Sequence, residues 1–153
     1  MTEPEEIIES NIINTLSAAN MPLEIIGALS PANRGEEKTA PISHISVACD
    51  LDSQDLDFRA GTPFSWSVRI SVFCSFADDA SGALFRNTCR AVRAAIHHLL
   101  GDGCSAISDN GFSCDAFLMS STSTNLYSAD ESGGMEKTYN ATIRGRFTPQ
   151  SDE

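Results

Sequence analysis

The stretch FSWSVRISVFCSF, residues 64–76, alternates apolar and polar side chains over nearly its whole length. One face is apolar and carries Phe64, Trp66, Val68, Ile70, Val72, Cys74 and Phe76. The other face carries Ser65, Ser67, Arg69, Ser71 and Ser75, with Phe73 as its apolar exception. A period of two with aromatic and β-branched residues predicts a strand with one face in the core and one polar face.

This strand is long for a chain of this size. At about 3.3 Å per residue the stretch spans roughly 43 Å, whereas a compact domain of this length has a diameter of about 38 Å. We therefore expect one end of the strand to lie outside the core, where a partner subunit can contact it.

Composition and charge exclude several classes of protein. The chain has 153 residues, 41% hydrophobic residues and a formal net charge of −11, which predict a single domain with a core at 3–147 and a flexible tail at 148–153. An acidic chain is not expected to bind nucleic acid or anionic membranes non-specifically. No apolar run approaches the ~20 residues of a membrane span, and the acidic start MTEPEEIIES does not resemble a signal peptide. We expect a protein that folds in a cytoplasm.

The first helical pattern covers residues 3–19. A capping box formed by Thr2 and Glu5 favours a helix start. Asn20 and Pro22 mark its end.

The second helical pattern covers residues 80–100. It follows the sequence ADDAS, whose acidic and hydroxyl side chains favour a helix start, and Gly101 marks its end. Between the two helices, the apolar segment LEII (23–26) is either a strand or a tether packed on the core. Residues 27–41 are predicted to be a loop, because they are rich in proline, glycine and charge.

Four segments have the period of a strand: 42–51, 64–76, 114–127 and 135–147. The first two are expected to pair as an antiparallel hairpin with a long acidic tip. The predicted fold class is α+β, a two-layer sandwich in the order α-β-β-α-β-β. A four-stranded, mostly antiparallel sheet of two long hairpins carries two helices on one face and leaves its other face polar.

Reactive side chains do not form a recognisable catalytic motif. The sequence contains no GxSxG, P-loop or dinucleotide-binding motif. His97 and His98 are adjacent and so point about 100° apart on a helix, which prevents joint binding of one metal ion in the i, i+4 manner. His44 stands alone on a polar strand face. We expect no enzyme activity, no catalytic residue and no cofactor.

Metal binding is not supported by the spacing of the possible ligands. The five cysteines lack the paired spacing of zinc ligands, and Cys49 and Cys74 are predicted to be buried small hydrophobes. Asp52, Asp55 and Asp57 carry oxygen ligands suited to calcium, but they lack the glycine and terminal glutamate of an EF-hand loop. A solvated acidic loop is the favoured interpretation.

The order of elements, the acidity and the sequence GGMEKTYNATIRGRF (133–147) resemble small tail-terminator or tail-completion proteins of long-tailed bacteriophages. The resemblance covers residues 3–147 and includes a Tyr-x-x-x-x-x-x-x-Phe spacing from Tyr139 to Phe147. It implies a virion protein that forms a ring, usually a hexamer, at the head-proximal end of the tail tube. Such a ring stops polymerisation of the tube and contacts the neck. DNA passes through it, and an acidic lumen would repel that DNA.

Candidate interface residues follow from the polar strand faces and the acidic loops. A head-to-tail contact closes into a ring when its rotation closes. On the long strand, Ser65, Ser67, Arg69 and Ser71 are expected to face a partner subunit or a lumen. The candidates on the sheet are Ser67, Arg69, Arg144 and Arg146, and the acidic candidates are Asp52, Asp55, Asp57, Asp130 and Glu131. The arginines would contact the acidic loops of the next subunit or line the lumen. The alternative is that they are solvated surface residues with little effect on stability.

Three other functions are open on the sequence alone. A head–tail joining or neck adaptor protein has a similar architecture. A small enzyme or ligand-binding α+β domain would need a convergent polar cluster in a pocket between helix and sheet. A monomeric adaptor or chaperone-like protein would bind its partner by strand addition.

Overall fold

The structure, a computed structural model, describes residues 4–27, 43–51, 63–76, 79, 81–101, 111–126 and 133–147. In chain order the elements are α1 (Pro4–Ala18), β1 (Glu24–Gly27), β2 (His44–Leu51), β3 (Pro63–Ser75), α2 (Ala83–Gly101), β4 (Phe112–Leu126) and β5 (Gly134–Phe147). Both predicted helices and all four predicted strands are present, close to their expected bounds.

The sheet has five strands and is mixed, so the predicted four-stranded sheet in the order α-β-β-α-β-β is wrong. Its strand order is β1-β2-β3-β5-β4. The additional strand, β1, lies within the segment LEII and Gly27 and pairs with β2 in parallel, with Ile25 opposite Ile45. A strand of 4 residues is too short to show a reliable period, and its pairing depends on α1 returning the chain beside β2.

The two long hairpins meet at the centre of the sheet. β2 pairs antiparallel with β3, as predicted. β3 pairs with β5 over its whole length, and β5 pairs with β4, again antiparallel. Gly27, the first residue of the loop predicted at 27–41, is the last residue of β1 instead. The rest of that loop and the acidic tip of the first hairpin lie outside the described residues. β4 is thus an edge strand, and β5 is internal.

One face of the sheet and the two helices enclose the core. α1 contacts β1 and β2, whereas α2 contacts β3 and β4. The largest buried side chain, Trp66, is 0% exposed, and its ring meets Phe112 edge-to-face at 5.2 Å between centroids. Its indole Nε1 donates a hydrogen bond to Glu5 of α1. Cys49 and Cys74 are buried in this core, which confirms their predicted packing role.

Polar residues mark the end of α1 and the start of α2. Asn20, after α1, has a φ of 55°, the left-handed conformation that asparagine tolerates at a helix end. α2 begins at Ala83, later than the predicted residue 80. The cause is Asp79, whose carboxylate accepts hydrogen bonds from the backbone N–H groups of Leu84 at 3.2 Å and Phe85 at 2.8 Å. The cap therefore lies four residues before the helix.

Candidate interaction surface

The sheet face opposite the helices has an exposed half and a buried half. Ser67, Arg69, Arg144 and Arg146 are exposed. Ser71 and Thr138, further along the same face, are only 8% and 7% exposed, and their hydroxyl oxygens are 3.1 Å apart across β3 and β5. The expectation that Ser71 faces a partner subunit or a lumen is therefore wrong. On β3 and β5, the accessible part of this face is the half that carries the arginines.

Phe73, the apolar exception of the alternating stretch, lies on the buried half. Its ring lies across Gly134, so that a Cβ at Gly134 would come within 2.8 Å of two ring carbons. The ring also contacts His44 on β2, with 6.0 Å between ring centroids. Phe73 therefore packs across three strands of the face that the sequence pattern assigns to polar residues.

The exposed half presents cationic and apolar side chains together. Its members, which we term the open-face patch, are Ser67, Arg69, Leu118, Thr142, Arg144 and Arg146. Leu118 is opposite Thr142, which is opposite Ser67, so these three form a row across β4, β5 and β3. Leu118 is 55% exposed and lies in this row between the flanking arginines. The sequence did not single out Leu118, because it did not show which side chains of β4 lie on the face away from the helices.

Arg146 has a partner within its own chain. Its Nε is 3.4 Å from Oδ2 of Asp115 on β4, and both side chains are about half exposed. Asp115 lies at a β-bulge, where the register shifts between Cys114 and Ala116, and the bulge places its carboxylate beside β5. An exposed pair of this kind contributes little to stability. Among the described residues, no ion pair is recorded for Arg69 or Arg144.

The acidic interface candidates lie in loops that the structure does not describe. Asp52, Asp55, Asp57, Asp130 and Glu131 lie outside the described residues, so their contacts with the arginines stay a prediction. The same holds for calcium binding by the three aspartates. In the part of the chain that the structure describes, no group of three or more His, Cys, Asp or Glu side chains could hold a metal ion.

A second long strand, β4, is extensively exposed. The apolar face of β3 is buried from Trp66 to Cys74, and the expectation that one end of β3 lies outside the core stays a prediction. β4 has 15 residues and exposes nearly every side chain after Met119, including Leu126 at 70%. An edge strand presents unpaired N–H and C=O groups to a neighbouring chain. Residues 112–126 contain neither lysine nor proline, the residues that commonly block such pairing.

Among the concavities lined by described residues, two lie beside α2. A groove of about 710 Å³ runs between α1 and α2 and is lined by small and polar side chains, among them Asn11, Ala91 and His98. A smaller cleft of about 320 Å³ lies between α2 and the strands β4 and β5, with His97 and Tyr139 in its wall. The two histidines thus line different concavities, as their adjacent positions on one helix predicted.

Tyr139 connects the cleft to the buried side of α2. Its hydroxyl donates a hydrogen bond to the backbone carbonyl of Cys89 at 3.2 Å. Burial raises the pKa of the Tyr139 phenol above its ordinary value, and the neighbouring Cys89 adds to this effect. Burial also raises the pKa of the Cys89 thiol. Because the thiolate is the reactive form, a raised pKa disfavours reaction at this cysteine.

Comparisons with known proteins leave the geometry as the support for a function. No protein-family model matches the sequence, and no curated protein matches it significantly. Neither comparison bears on the resemblance to tail-terminator proteins. Of the described helices, none is long and apolar enough to span a membrane.

Proposed function

We propose that this chain is a structural virion protein, a tail terminator or tail completion protein of a bacteriophage. It forms a ring, a hexamer by the resemblance, at the head-proximal end of the tail tube. The ring ends polymerisation of the tube and joins the tail to the neck, so its partners are further copies of itself, the tail tube protein and a neck protein.

The open-face patch is the observation that carries this proposal. Arg69 and Arg144 are exposed on a sheet face of a chain with a net charge of −11. Such cations attract the acidic surface of a second copy and orient its approach. The exposed Leu118 supplies apolar area beside them, as arginine and apolar side chains do in the centre of protein interfaces.

The separation of charge favours a ring rather than a symmetric dimer. A contact between the basic patch of one copy and acidic side chains of the next joins two different surfaces. Such a contact is heterologous, that is, head-to-tail. Heterologous contacts generate rings when the rotation closes. An acidic ring would not hold the DNA that passes through it.

The edge strand β4 favours a second candidate. Its exposed edge can accept a strand of another protein, with backbone hydrogen bonds giving affinity and alternate side chains giving specificity. A head–tail joining or neck adaptor protein would use this edge to bind a single partner strand and would not need to form a ring of its own.

Native mass spectrometry over a range of protein concentrations tests the proposal. A closed oligomer is expected, and charge reversal by Arg69→Glu together with Arg144→Glu should shift it towards monomer. The matched control is Arg86→Glu together with Arg90→Glu, which changes the charge equally at exposed positions of α2. A monomer at every concentration and at low salt, or a ring unaffected by reversal at the patch, would contradict the proposed assembly.

The phage assignment has its own test. Capsid and tape-measure genes are expected next to the gene of this chain. If the chain forms an oligomer but its gene lies among metabolic genes, the proposed self-assembly stands and the proposed tail function is contradicted.

A further inference from the structure

The cleft between α2 and the sheet collects cationic side chains from both layers. Arg93 and His97 lie one turn apart on α2, and Lys137 faces them from β5. Thr122 of β4 and Tyr139 of β5 complete its polar lining. We term this set of five residues the cationic cleft.

The cationic groups are directed at the same small volume. Lys137 Nζ lies 5.6 Å from the centre of the Tyr139 ring, a distance at which an ammonium group is attracted to the ring face. Arg93 acts electrostatically on the Tyr139 phenol and lowers its pKa, although burial has the larger and opposite effect. Two positive charges from opposite walls therefore converge on Tyr139.

This convergence is unusual for the composition of the chain. The sequence has 21 Asp and Glu residues but only 10 Lys and Arg residues, and two of those ten lie in one cleft of about 320 Å³. Among the described residues that line the cleft, none is a carboxylate. Within the described ranges, no ion pair is recorded for Arg93 or Lys137. Arg93 and His97 are exposed in the single chain and Lys137 is half-buried, so a partner that covers the cleft would desolvate these charges and strengthen their pairing with carboxylates.

We propose that the cationic cleft binds carboxylate side chains of a second copy of this chain. This inference rests on the proposed self-assembly and names one of its contacts. The excess of acidic residues makes another copy a complementary partner. The cleft also lies beside the exposed edge strand, because Thr122 of β4 belongs to its wall, so a copy that approaches β4 comes within reach of the cleft. The cleft is at the small end of the range for ligand pockets and suits a few acidic side chains.

The assembly would then use both sides of the sheet. The open-face patch lies on the face away from the helices, and the cationic cleft lies on the helix side. Two separate basic contacts would fix the angle between neighbouring subunits more firmly than either contact alone, and a fixed angle is what closes a ring.

Neutralising the cleft tests the inference. The variant Arg93→Gln with Lys137→Gln should raise the dissociation constant of self-association about tenfold or more, since each desolvated charge contact contributes on this scale. Arg86→Gln with Arg90→Gln is the matched control, because it removes the same charge from exposed positions of the same helix and should leave self-association unchanged. Sedimentation velocity at low ionic strength measures both, and circular dichroism confirms that each variant is folded.

Cross-linking identifies the contact directly. A carbodiimide joins a lysine amine to a carboxylate that touches it, and an equimolar mixture of ¹⁴N and ¹⁵N chains marks links between copies as hybrid masses. A hybrid peptide that joins Lys137 to an aspartate or glutamate of another copy is expected, and the link should disappear at high salt.

The outcomes separate the two proposals. If oligomers form but Lys137 yields no hybrid link and the cleft variant associates like the control, the cleft has no role and the proposed ring survives. If the chain is monomeric throughout, both the ring and the cleft contact are overturned. A tenfold weakening confined to the cleft variant, with the hybrid link present, establishes the contact.

Discussion

At the scale of single residues, aromatic rings and glycines are matched across neighbouring strands. On the helix side, a Cβ at Gly145 would lie 2.7 Å from two ring carbons of Phe112 and 2.6 Å from the backbone oxygen of Ser113. On the opposite face, Phe73 lies across Gly134 in the same way. These glycines are needed because a ring from the adjacent strand occupies the place of their side chains.

The variant Gly145→Ala should therefore destabilise the protein. The added methyl group must displace Phe112, which packs edge-to-face on Trp66, and overpacking of this kind costs about 1–3 kcal/mol. Urea denaturation measures the change in the free energy of unfolding. Ser123→Ala, at an exposed position of β4, is the control and should change stability by less than about 0.5 kcal/mol. Equal effects of the two variants would contradict the packing argument.

At the scale of elements, α2 depends on a capping group, Asp79, that lies four residues before its first residue. Asp79 is only 8% exposed and satisfies two backbone N–H groups of the first helical turn. Its negative charge also lies at the positive end of the helix dipole. The sequence ADDAS predicted a helix start, but only the hydrogen bonds of the structure show that Asp79 of the aspartate pair forms the cap.

Removing this cap should lower stability through α2. Asp79→Ala leaves two N–H groups without their acceptor and is expected to cost about 1–2 kcal/mol. Asp79→Asn keeps one oxygen acceptor but loses the charge, so its cost should be smaller. Thermal unfolding followed by circular dichroism at 222 nm compares the two. The interpretation fails if the alanine variant is as stable as the asparagine variant.

The edge strand β4 illustrates how one element acquires two uses. Its first part packs Phe112 and Phe117 in the core, and its second part is a Ser/Thr run with exposed side chains. The bulges at Asp115 and Ser120 change which side chains face the arginines. Loss of the apolar alternation in the sequence is the signal that the second half leaves the core.

At the scale of the whole molecule, the sheet and α2 are linked by a buried polar contact between Tyr139 and the Cys89 carbonyl. Burial raises the pKa values of both the Tyr139 phenol and the Cys89 thiol. Unfolding returns them to about 10 and 8.5. The neutral forms are thus favoured in the folded state, and the fold is expected to lose stability at alkaline pH.

The sign of this dependence follows from linkage. Folding raises both pKa values, so the corresponding stability is fully present below pH about 8.5 and is lost as the pH rises towards the folded-state values. At pH 7, Tyr139→Phe should lower the free energy of unfolding by about 1 kcal/mol, because the hydrogen bond is lost. As the pH rises above about 10, the free energy of unfolding should fall less in this variant than in the wild type. Urea denaturation between neutral and alkaline pH measures both curves. Parallel curves for the two proteins would contradict a raised pKa of Tyr139.

The sequence by itself determined the helices, the four long strands and the core side of β2, β3 and β5. Amphipathic periods of 3.6 and 2 follow directly from the burial of one face, so a local pattern carries this information. It also placed Arg69 and Arg144 on the polar face, because their positions follow from the same alternation.

The tertiary structure alone decided the short parallel strand β1, the edge position of β4 and the cationic cleft. These features depend on which strands become neighbours, and pairing is a contact between distant residues that no local period specifies. Arg93 and Lys137 are 44 positions apart in the sequence and come together only because α2 packs beside β4 and β5. The buried half of the polar face has the same origin, since Phe73 covers a glycine that the chain supplies much later.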